Sequence, residues 1–257
     1  MKVCDRVYED YIKKSRLCDY ENVLKLANSK GYKMMGINEF AHHDILGGEL
    51  ILVNRHDIDT SPRVAKKMFE IEKKVYGDAG SSTFYFRQST FDKDLIKEIN
   101  GFGYEASYHY EEIATYLKKN RIKDPQKILS CLPKIREIFE ENLNEFRQQT
   151  GAECKTVSAH GDFVNVKLDI SNKLLLDKKT RMSCMIETEA YDEIIEGRIE
   201  ARFADQHLLG VFSQNVQDAI LNKKSPILIL THPRNWEVDI LFNTKDNIVR
   251  LIEGVSF

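Results

Sequence analysis

No apolar run in this sequence approaches the roughly 20 residues that a bilayer span requires. The opening stretch, Met1 to Lys14, is charged throughout and lacks the hydrophobic core of a secretion signal. The expectation is therefore no membrane span, no signal peptide and a cytoplasmic location. Cysteine is also sparse. The five (Cys4, Cys18, Cys131, Cys154 and Cys184) are scattered, and no two stand as CxxC. An odd, unpatterned set argues against a disulfide framework and for a reducing compartment. Charge of one sign is missing too: 38 basic residues face 40 acidic ones, a net of −2, so no basic field exists to attract nucleic acid. Repeats, low-complexity segments and linkers are absent. What remains, 42% hydrophobic and 30% charged, is the composition of an ordinary globular chain. One domain is the economical reading, with residues 1–45 as an N-terminal helical appendage on a unit spanning 46–257.

The stretch that organises the chain runs from Glu49 through Val53 into Asn54-Arg55-His56-Asp57-Ile58-Asp59. Its apolar, β-branched start predicts a buried strand. Side chains alternate along a strand, so Asp57 and Asp59 share a face. Ser61-Pro62 ends the strand, and Arg63 to Tyr76 has helical spacing. Two carboxylates thus stand at a strand-to-helix corner, where α/β folds hold ligands and metals. Taken alone, the pair is equally a helix cap. Further strands are predicted at Ser82 to Arg87, Tyr104 to Glu112, Lys155 to His160, Ser183 to Glu187, Ile199 to Phe203 and Pro226 to Pro233. Helices are predicted at Tyr8 to Asn28, Phe91 to Phe102, Pro125 to Gln149 and Val216 to Leu221. This alternation argues for βαβ units and a parallel sheet. His42-His43-Asp44 has the residue types of a metal cluster. Adjacent histidines do not easily reach one ion, and Gly47-Gly48 marks a loop.

Four predicted strands end in groups able to do chemistry: Asp57 with Asp59, His109, His160-Gly161-Asp162, and His232. Parallel neighbours in a barrel would bring all of them to its C-terminal mouth. One carboxylate and two histidines around an open position is a pattern for hydrolysis on a divalent metal. A separate carboxylate then takes the water proton, and a separate imidazole protonates the leaving amine.

The Arg55-to-Asp59 strand, Phe84-Tyr85-Phe86-Arg87, the Gly103-to-Glu112 stretch and Leu230-Thr231-His232-Pro233 resemble the motifs of the polysaccharide deacetylases related to NodB, carbohydrate esterase family 4. The likeness is greatest to a branch with an HDVD-type first motif, and it spans roughly residues 20 to 240 in motif order. It implies a distorted (β/α)7 barrel of TIM-like form that removes acetyl groups from sugars with a bound divalent metal. Position by position, Asp57 resembles the general base, Asp59 the metal-binding aspartate, His109 the first histidine of the second motif and His232 the general acid.

The chain departs from that pattern in two places. The family's second motif pairs histidines four residues apart, and here the second position is Ile113. The arginine-proline motif after the fourth strand is replaced by His160-Gly161-Asp162. Our expectation is that His160 supplies the missing ligand, giving a metal set of Asp59, His109 and His160. Zinc is the default for such ligands, while nickel, cobalt, manganese or iron fit similar ones. Arg55 and Arg87 suit an anionic sugar group or an ordinary ion pair. Asp162, Phe163 and Trp236 are further candidates for contact with the sugar or acyl group, and Asp205 for fixing the tautomer of His232. The expected activity is de-N-acylation of an amino sugar that is free, nucleotide-linked or lipid-linked. A non-catalytic sugar-binding relic and a deformylase of a formamido sugar are the alternatives.

Overall fold

Short β-branched runs separated by amphipathic helices leave the backbone one economical arrangement, a parallel sheet with helices over its outer face. The computed structural model describes residues 3–205 and 209–257. Its strands are β1 (Lys33–Met35), β2 (Ile51–Ile58), β3 (Thr83–Phe86), β4 (Glu105–Tyr110), β5 (Thr156–Ala159), β6 (Thr188–Glu189), β7 (Ala201–Ala204) and β8 (Ile227–Thr231). Every pairing is parallel. The order is β6-β5-β4-β3-β2-β8-β7, with β1 on β2. The sheet curls as an open barrel, compatible with a distorted (β/α)7 architecture. No ladder joins β6 to β7 among the described residues.

β2 is the hub. β8 pairs with its residues 52–56 along one edge; β1 and β3 share the other, at residues 51–53 and 55–58. All eight of its residues are buried. Alternation sorts them by face. Ile51 and Val53 join Met35, Tyr85, Leu228 and Leu230 in the barrel interior. Leu52 and Ile58 join the larger core beneath the helices. The same parity sends Arg55 and Asp57 inward and Asn54 and His56 outward. Under helix Pro62–Tyr76, His56 Nε2 lies 2.7 Å from Glu72. Tyr20, Asn54 and Ser82 also bond that carboxylate.

Of the first 45 residues, those from Tyr20 to Ala41 contribute to these cores. Helix Leu17–Ser29 contributes Tyr20, Val23 and Leu24, and β1 lies within the sheet. The helix expected from Tyr8 to Asn28 is interrupted: Lys13 is buried, its ammonium 2.9 Å from the Arg234 carbonyl, and Arg16 N–H donates to the Trp236 carbonyl. The strand expected at Ser183 to Glu187 is not formed. Asp177 caps a helix, Lys178–Ser183, and the strand starts later, at Thr188. Helix Leu209–Leu221 is longer than its predicted part. His43 pairs with Glu49 beside the Gly47-Gly48 turn. No helix among the described residues is long and apolar enough to cross a membrane.

Candidate active site

Parallel pairing puts all strand C-termini at one end of the barrel. Asp59 stands just beyond β2, at a corner where Ser61 takes a left-handed conformation, φ 53°. A side chain there is strained, and it persists only when held. Ser61 Oγ accepts from Val64 N–H and donates to Asp239 at 2.7 Å, which supplies the hold.

Two imidazoles converge on Asp59. Oδ1 lies 3.3 Å from His109 Nε2 and 3.5 Å from His160 Nε2. The two rings stand edge to face, with centroids 5.2 Å apart. His109 Nδ1 lies 2.9 Å from the Ser158 carbonyl. A carbonyl only accepts, so Nδ1 carries the proton and Nε2 keeps its lone pair when the ring is neutral. His160 Nδ1 lies 3.0 Å from Glu111, close enough for an ion pair but not aligned as a hydrogen bond. Buried Asp59 Oδ1 has no hydrogen-bond donor among the described residues. Burial works to raise the Asp59 pKa, but the fields of His160, His109 and His232 hold it well below the usual carboxylate range.

Asp57 sits beside this group, 3.5 Å from His109 Nε2. Arg55 clamps it with two bonds, 2.9 and 2.8 Å, and spends a third on Ser158 Oγ. Burial opposes ionisation of Asp57, yet Arg55 and His109 keep its pKa below normal. Arg55 itself is fully buried, with Tyr191 stacked 4.2 Å from its guanidinium carbon. It orients Asp57 and offers no surface to a substrate.

On the opposite wall, His232 Nδ1 lies 2.7 Å from Asp205. The other Asp205 oxygen accepts from His232 N–H and from the Trp236 indole. Burial lowers the His232 pKa, but Asp205, Asp59 and Asp57 outweigh it and push it up to about 10. Asp205 thus stands behind His232, with its carboxylate facing Nδ1. Trp236 is fully buried and lines no open wall; its role is to hold Asp205. Arg87 forms a bidentate pair with Glu111 and donates to the Asp59 carbonyl at 3.2 Å. Asp162 caps helix Phe163–Leu168 and bonds Lys118 at 2.8 Å. Phe163 lies on the rim against Phe257. A cavity of about 540 Å³ opens beside His160, lined among others by Gly161, Asn172, Lys173 and Tyr191.

Glu111 escapes a reading based on chemical motifs. Strand parity was its signal, since residues 109 and 111 lie on one side of an extended backbone. Burial raises its pKa, but His160 and Arg87 bring it down to about 2. Among the described residues, the group whose ligand atoms all lie within 4.8 Å of one another is Glu111, His160 and Asp162, which could hold a metal ion. No family model matches the chain, and no curated protein matches it either.

Proposed function

We propose that the chain is a metal-dependent hydrolase that removes an acyl group from the nitrogen of an amino sugar, in the manner of the NodB-related deacetylases. One observation carries the reading: a buried carboxylate oxygen of Asp59 without a donor, faced by two imidazole Nε2 atoms, one backed by the Ser158 carbonyl and the other with Glu111 3.0 Å from its Nδ1. That is the donor set of two histidines and one carboxylate, with a carbonyl that fixes the tautomer of His109. Asp59, His109 and His160 would hold the ion. The alternative set is weaker, because Arg87 already neutralises Glu111 and Lys118 neutralises Asp162. A divalent cation bound there supplies Lewis acidity toward the acyl carbonyl and the attacking water.

The remaining roles fall to the chain itself. Asp57, ionised and aimed by Arg55, takes a proton from the water as its oxygen joins the acyl carbon. His232 Nε2 delivers a proton to the sugar nitrogen as the carbon–nitrogen bond breaks. Asp205 holds the imidazole in the tautomer that allows this. The products are a carboxylic acid and an amino sugar.

Protein purified without chelator should carry about one divalent ion per chain, zinc first among the candidates, by elemental mass spectrometry. Asp59→Ala, His109→Ala and His160→Ala should each remove it; full occupancy in all three rejects this ligand set. Ile113, buried where the family pattern has its second histidine, favours a second reading, a sugar-binding relic. Acetate release from nucleotide-linked N-acetyl sugars separates the two, and formate release would identify a deformylase.

A further inference from the structure

We propose that Tyr191 is a positioning residue for the hydrolytic site: its ring face compensates the buried charge of Arg55, which hydrogen bonds meet only in part, and so fixes the clamp that aims Asp57. The proposal rests on the deacylase reading for the role of Asp57.

Arg55 is costly to bury. It is fully enclosed, and a guanidinium out of water needs acceptors for its five N–H groups. Nε and Nη2 have theirs, in the Asp57 carboxylate and Ser158 Oγ. Nη1 is buried and bonds nothing among the described residues. Two rings flank the group instead: its central carbon lies 4.2 Å from the Tyr191 centroid and 5.5 Å from that of Tyr85. A ring face attracts a cation through its quadrupole, most strongly where water is excluded. Tyr191 is the nearer ring. Two further cations stand over it, Lys173 at 4.4 Å and Arg202 at 5.3 Å. Arg202 is paired with Glu196, and both Lys173 and Arg202 are exposed. Of the three, Arg55 is the closest and the only one buried.

The chain builds this placement. Tyr191 follows β6 on a turn that is tied down. Glu189 accepts from Tyr191 N–H at 2.8 Å with one oxygen and from Ala159 N–H at 2.9 Å with the other. Asp192 accepts from Glu189 N–H and pairs with Arg181. One carboxylate therefore sets Tyr191 against the end of β5, next to His160. The half-buried ring also lines the cavity beside His160. Wall and prop are different jobs, and kinetics tells them apart: a cavity wall acts on KM, a prop for the proton acceptor acts on kcat.

The full, metal-loaded chain is assayed for acetate release from a water-soluble N-acetyl sugar. Tyr191→Leu, which keeps bulk but removes the ring, should lower kcat about tenfold or more and leave KM within about twofold. Tyr191→Phe, which keeps the ring, should hold kcat within about threefold of the parent. Metal content should be unchanged in both. A second measurement reads the clamp itself. In protein carrying isotope-labelled arginine, the Arg55 Nε–H resonance, assigned by its loss in Arg55→Lys, should exchange with water about tenfold faster in Tyr191→Leu than in the parent or Tyr191→Phe. A raised KM with kcat kept makes Tyr191 a wall and overturns the proposal. So does a Phe variant as impaired as the Leu variant, or an Arg55 resonance that ignores both substitutions. Should any of these occur while the parent releases acetate, the prop falls and the deacylase reading stands. A parent that holds no metal and turns nothing over sinks the deacylase reading, and the role of Tyr191 with it.

Discussion

Two carboxylates that touch no substrate set the behaviour of the residues that would. Asp205, joined by Asp59 and Asp57, outweighs the burial that would deprotonate His232 and raises it to about 10. A donor to the leaving nitrogen must be protonated, so the alkaline limb of activity should fall near that value. Asp205→Asn should move the limb down toward the ordinary 6.5 and lower kcat about 10- to 100-fold; a pH–rate profile of both proteins checks this. Stability follows the same sign. The His232 contribution is fully present below the unfolded value of 6.5 and is lost as pH rises through about 10. Urea midpoints across that window should slope downward in the parent more steeply than in Asp205→Asn. Glu111 stands behind His160 as Asp205 stands behind His232. Glu111→Gln should weaken metal affinity about 10- to 100-fold, read by chelator competition, and Glu111→Asp should recover part of it. Equal affinities in parent and Gln variant would confine Glu111 to pairing with Arg87.

At the scale of elements, β2 separates chemistry from support by parity alone. Its inward residues Arg55 and Asp57 face the site, while outward His56 makes a fully buried pair with Glu72. Breaking such a pair strands a polar group in the core, so Glu72→Ala should cost about 3–5 kcal/mol of stability by chemical denaturation. Metal content of the folded variant should be unchanged, since Glu72 lies on the other side of the sheet. Elements of this kind are legible in a sequence because their pattern is local. The β2 run, the corner at Ser61-Pro62 and the apolar β8 are read from spacing, and the histidines that end β4 and β8 follow. Less can be read where length or distant contacts decide. β6 is two residues long, below any periodic signal, and the preceding segment goes to helix because Asp177 caps it. The break between Ile12 and Leu17 depends on Arg234 and Trp236, over 200 positions away. Trp236 reads as a ring for stacking on sugar, yet the partner of its indole N–H, Asp205, is recognisable only in three dimensions.

For the whole molecule, an ion held between β2, β4 and β5 would tie together strands that are distant in sequence. A ligand that binds only the folded chain stabilises it by about 4 kcal/mol at a thousand times its dissociation constant. Chelator should therefore lower Tm by several degrees, and stoichiometric zinc should restore it; an unchanged melting curve would mean that no such tie exists. The missing ladder between β6 and β7 adds a constraint of its own. Because no ladder among the described residues closes the ring, the strands leading to His109 and His160 are hydrogen-bonded to those leading to His232 and Asp205 by way of β2. One strand is thus the ruler that spaces proton acceptor from proton donor. A slip of a single residue along it would turn Asp57 and Asp59 away from both halves at once, so errors here would be all or nothing.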